Sequence, residues 1–155
     1  MKQFSFSQAI VAGLVGTVGM TMMMLMAPLM GMPEMNIGKM LAGFMGIPVI
    51  IGWVAHFMIG EALALIYAYA FAGRLPGSAW VKGLLFGLIP WFMAQVVVNP
   101  MMGAGVFASN TPTPVAMVMG SLIGHIVYGT VLGAVYGRTG LRGVLLHRSV
   151  NSFNQ

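Results

Sequence analysis

His56 and His125 are the residues whose type and spacing best fit chemistry in this chain. His56 opens the phrase His56-x3-Gly60-x2-Leu63-Ala64-x2-Tyr67, and His125 opens His125-x3-Gly129-x2-Leu132-Gly133-x2-Tyr136. Every paired position lies 69 residues apart. Both phrases sit in apolar runs almost free of charge, where a polar ring is costly to bury unless a partner satisfies it. The plainest reading is a structural hydrogen bond from each imidazole to a backbone carbonyl, a Tyr or Gln95. A sharper reading is bis-histidine ligation of haem b, with Gly60 and Gly129, one turn from each imidazole, making room for a flat macrocycle. A third is a bare metal site at His56 and His125, or a proton relay. The haem reading carries a geometric condition. Both histidines lie on four-residue ladders of small residues (Gly52, His56, Gly60, Ala64 and Ser121, His125, Gly129, Gly133), which let helices approach closely. If those ladders faced each other, the axes would stand about 8 Å apart and exclude a haem. The two histidine helices must therefore lie on a diagonal.

Other polar residues in the apolar runs are few. Glu61 is the only acid deep in one, so it should be paired or protonated. Thr17, Thr21 and Gln95 are its candidate partners, and the choice between a structural hydrogen bond and proton or ion handling stays open. Ten of the 17 methionines fall between Met20 and Met45. Thioethers bind Cu(I), but Met is also an ordinary gap-filling helix residue, and the cluster reads as packing. Asn99 precedes Pro100, so it is expected to end its helix rather than line a cavity. With no Cys, thiolate sites, disulfides and cysteine nucleophiles are excluded. The two acids, Glu34 and Glu61, are the only carboxylate pair available, and Glu34 falls in a loop. No phosphate-cradling glycine loop and no metal-hydrolase spacing is present. A catalytic set is not expected.

The elements that must position these residues are membrane helices. The 155 residues are 59% apolar and 6% charged, whereas a soluble domain carries about 25% charged residues. A spanning helix needs about 20 apolar residues. Four such spans are expected, at 7–29, 48–72, 79–98 and 114–137, within one transmembrane domain, 1–137. A basic tail, 138–155, follows. The apolar stretch after Lys2 is too long for a signal-peptide core and is read as the first span. Pro90 should kink the third. Asn36 should cap a short interfacial helix running to Met45.

Lys2, Arg74, Lys82, Arg138, Arg142 and Arg148 fall on one side of this layout and only Lys39 on the other. The positive-inside rule then places both termini in the cytoplasm. It also accounts for the net charge of +5 without nucleic acid. The tail should meet anionic lipid headgroups. Pro28-Leu29-Met30-Gly31 and Pro100-Met101-Met102-Gly103, 72 apart, echo the histidine repeat. The expected fold is an all-α, four-helix transmembrane bundle of two pseudo-repeated parallel helical hairpins.

Several phrases together resemble a family of small bacterial four-helix membrane proteins that is classed only as a domain of unknown function. They are Met26-Ala27-Pro28-Leu29-Met30-Gly31, Gly52-Trp53-x2-His56-Phe57, Arg74-Leu75-Pro76-Gly77-x2-Trp80 and Gly120-Ser121-Leu122-Ile123-Gly124-His125-x2-Tyr128-Gly129. The resemblance covers roughly Gly13 to Gly137. It implies a bacterial inner-membrane location and the four-helix layout, and it assigns no activity to any residue. The expected function is non-enzymatic: a small packing or accessory subunit of a membrane assembly, or a homo-oligomer. A haem b electron-transfer protein, or a proton, ion or metal pathway through Glu61 and the histidines, are the alternatives.

Overall fold

The computed structural model describes residues 4–152, with side chains as far as Arg138. Lys2 lies outside the described residues. So do the side chains of Arg142 and Arg148, and with them the expected contact between the tail and lipid headgroups.

The described residues are all-helical, with no strand. Helix α1 (Phe6–Met26) passes into a tight turn, Ala27–Met30, where Pro28 falls at the first turn. Gly31 ends it at φ 77°, and the amides of Gly31 and Met32 bond back to Pro28 O and Ala27 O. A residue with a Cβ would be strained there. The short α2 (Ile37–Met45) starts where the Asn36 side chain accepts from the Lys39 amide at 3.0 Å. Helix α3 (Val49–Ile66) follows Pro48 and runs on through a wide π-helical turn, Tyr67–Phe71. Helix α4 (Ala79–Met93) also continues through such a turn, Ala94–Val98, and then through α5 (Asn99–Met101).

Among the described residues, four stretches are long and apolar enough to cross a membrane: Phe6–Met30, Val49–Phe71, Ala79–Met101 and Pro114–Arg138. Two differ from the sequence reading. Asn99 does not end its helix. Its side-chain Nδ2 donates to Gln95 Oε1 at 3.0 Å, and the chain stays helical to Met101. Pro100 falls in the first turn of α5, directly after the wide turn. The last helix, α6 (Pro114–Ser152), does not stop at Gly137 but runs for 39 residues. No proline follows Pro114 to break it.

The packing is set by small residues. Helix α1 packs against both α3 and α6, α4 packs against α6, and α2 lies on α3. A Cβ on Gly60 would run into Thr17 of α1, and one on Gly52 into the Gly38 carbonyl of α2. On the other side, a Cβ on Gly129 would strike the Gly83 carbonyl, and one on Gly133 the Ala79 carbonyl. The two glycine ladders therefore do not face each other. The α3 ladder is used against α1 and α2, the α6 ladder against α4. Helices α3 and α6 stand diagonally across α1, and α3 and α4 are left apart along most of their length.

Candidate functional site

The gap between α3 and α4 is the site. At one end it is closed by aromatic rings. The wide turn after α3 carries Tyr67 and Phe71 across to Phe86 of α4, with ring centroids 5.3 and 5.1 Å apart. Tyr67 also meets Tyr136 edge-on at 6.0 Å. Helices α1 and α6 form the back wall. What remains is a cavity of about 490 Å³, and both His56 and His125 line it. Its other walls are almost wholly apolar, among them Leu63, Phe86, Pro90 and Ala94. On the open side the rim residues Ile59, Ile66, Ile89 and Met93 are exposed.

Each imidazole is held by a different device. His56 is 7% exposed and is bracketed edge-on by Trp53 and Phe57, at 5.9 and 5.7 Å. Its Nε2 lies 3.1 Å from the Thr21 hydroxyl on α1. His125 bonds within its own helix instead, with Nδ1 2.8 Å from the Ser121 carbonyl. The Ser121 hydroxyl accepts from Gln95 Nε2 at 3.2 Å, and Gln95 in turn accepts from Asn99. A polar chain thus runs from the end of α4 to the turn that holds His125. Tyr128, one turn beyond His125, donates to the Gly60 carbonyl at 2.6 Å. That bond ties α6 to α3 beside the cavity.

A second cavity, also about 490 Å³, lies at the α2 end of the bundle, lined by Glu34, Asn36, Lys39, Asn99 and Ser121 among others. It shares His125, Met20, Ile37, Ala94 and Val98 with the first, so His125 stands where the two meet. Glu34 and Lys39 pair at 3.2 Å, but both are largely exposed, so the pair adds little stability.

The structure brings together only some of the residues singled out from the sequence. His56, His125, Gly60 and Thr17 line the cavity. Gly129 does not leave space for a ligand, because the α4 backbone fills it. Gln95 is buried behind His125 and acts through Ser121. Glu61 is turned to another face of α3, in a shallow groove of about 550 Å³ with Trp53, Phe57 and Leu65. That groove is larger but holds neither histidine. The Glu61 Oε2 is buried against Gly13 and has no hydrogen-bond partner. Thr17 and Thr21 do not serve it. Their hydroxyls donate to the carbonyls of Gly13 and Thr17 at 2.8 Å. Among the described residues, no group of three or more His, Cys, Asp or Glu gathers to hold a metal ion. The sequence reading gave no role to Tyr128, whose repeat mate is Ile59, so the repeat carried no signal for it.

Fold and cavity together define a class: a helical bundle with, among the described residues, four stretches long and apolar enough to cross a bilayer, and a histidine-lined gap between two of them. Within that class the chain belongs to a family of unknown function, DUF6789, whose profile matches residues 5–144. No curated protein and no solved structure matches the chain.

Proposed function

We propose that the chain is a non-enzymatic integral protein of the bacterial inner membrane, working as a binding or accessory component through the cavity between α3 and α4. The observation that carries this is the meeting of both repeated histidines in one cavity. Few forces in a bundle would keep such a gap unless it were used, since close packing is the norm. Both termini face the cytoplasm in this reading, supported by the side on which Arg74, Lys82 and Arg138 fall against Lys39. The two hairpins descend from one duplicated unit. The contact between the mates Tyr67 and Tyr136 supports that, because only residues near a pseudo-two-fold axis meet their own mates.

The test is to identify what the protein retains on purification from membranes. Native mass spectrometry should find a bound small molecule that is lost in Ala94→Phe, which fills the cavity wall. Equal retention in both proteins would refute the cavity as the site.

Haem b is a second reading with one specific observation behind it: α3 and α6 stand on the diagonal that a haem between them requires. For the usual Nε2 ligation, His56 has first to release Thr21. The visible spectrum of protein made with ample haem decides it. A colourless preparation ends the haem reading.

A further inference from the structure

We infer that the cavity takes an apolar molecule whose polar end carries hydrogen-bond donors, of the quinol type: a dihydroxy ring on a hydrocarbon tail. This rests on the reading of the cavity as the working site, and it adds what kind of molecule fills it.

The donor and acceptor count of the wall is one-sided. The Ser121 carbonyl can only accept, so the Nδ1 facing it at 2.8 Å carries the ring proton of His125. Its Nε2 is then a bare lone pair. The Thr21 hydroxyl has one proton, and it goes to the Thr17 carbonyl at 2.8 Å. The Nε2 of His56, 3.1 Å from that same hydroxyl oxygen, must therefore donate, which leaves Nδ1 as its acceptor. Tyr128 gives its proton to the Gly60 carbonyl, and Thr17 gives its own to the Gly13 carbonyl. Every donor on these five side chains is consumed inside the protein. The two imidazoles keep an unused acceptor each.

A ligand with acceptors alone finds nothing to pair with on these side chains, and burying its oxygens there would leave them unsatisfied. A ligand hydroxyl that reaches either ring satisfies itself and that ring nitrogen. The rest of such a molecule has a place as well. The gap between the exposed rim residues Ile59, Ile66, Ile89 and Met93 lets a hydrocarbon tail leave sideways into lipid.

The experiment compares three probes on the purified full chain in detergent: decylubiquinol, decylubiquinone and the dimethyl ether of decylubiquinol. The three share ring and tail and differ in hydroxyl donors. The expected result is that the quinol binds about tenfold more tightly than the other two, the weight of one good hydrogen bond. His125→Phe and His56→Phe should erase the preference. The comparison on the unmodified protein stands even if a variant fails to fold. Equal binding of all three, abolished by Ala94→Phe, would overturn the donor inference and keep the cavity as the site. Equal binding that survives Ala94→Phe would overturn both. No binding of any probe would overturn the inference.

Discussion

Substituting Gly133 by Ala probes the close backbone packing of α4 on α6. Gly133 faces the α4 backbone, and a Cβ there would meet Gly83 Cα and N at 2.8 Å, besides striking the Ala79 carbonyl. Ordinary contact begins at 3.4 Å, so even the milder clash is short by 0.6 Å (3.4 − 2.8), and backbone cannot rotate away as a side chain can. Overpacking of this kind costs about 1–3 kcal/mol. Replacing Gly by Ala in a helix returns about 1 kcal/mol of propensity. The net expectation for Gly133→Ala is a loss of about 0–2 kcal/mol. Gly124, on the same helix, supplies the control. A Cβ there meets only the Met20 side chain, at 3.4 Å, which is ordinary contact. Gly124→Ala keeps the propensity gain without the clash. The difference between the two variants should therefore be about 1–3 kcal/mol, with propensity cancelled. Titration with a denaturing detergent, followed by circular dichroism, measures both. Equal midpoints would refute the backbone contact between α4 and α6.

Two further predictions concern topology and Glu61. Cysteines placed singly at the exposed Ser78 and Ser109 should differ in labelling by an impermeant reagent from the periplasm: Ser109→Cys reacts, Ser78→Cys is protected, and the opposite pattern sinks the proposed orientation. The Glu61 Oε2 is buried and unpartnered, so Glu61→Leu should raise stability by about 1 kcal/mol in the same detergent titration, whereas a clear loss would mean that the carboxyl has a partner.

The helical class and the four apolar helices are readable in composition, because 59% apolar residues in long uninterrupted runs leave no other architecture. The Asn36 cap is readable because capping is local, set by a side chain three residues from the amide it serves. The two histidines that line the cavity stand out in the sequence by their spacing. Which helices touch is not. A glycine ladder says that a backbone comes close, but not whose. Gly83 and Gly87 of α4 carry the complementary ladder in plain view, yet nothing in their spacing assigns them to α6. The continuation past Asn99 depends on a wide helical turn, which leaves no local sequence mark. The sequence offers Thr17, Thr21 and Gln95 as candidate partners for Glu61, but each of those is committed to nearer acceptors or donors. Nothing local marks Tyr128, because its bond to Gly60 is a long-range one between unlike positions.

The sideways opening between Ile59 and Met93 changes what affinity means for this cavity. A molecule entering from hydrocarbon leaves one apolar surrounding for another, so its tail gains almost nothing from the move; lipid chains are as apolar as leucine. Binding strength must then come from the polar end alone, where two ring nitrogens wait. Tail length should set how much of the molecule resides in the bilayer and barely alter how tightly it is held. Occupancy would follow the mole fraction of ligand among lipids rather than its concentration in water, and diluting a preparation with detergent should empty the cavity as surely as removing the ligand.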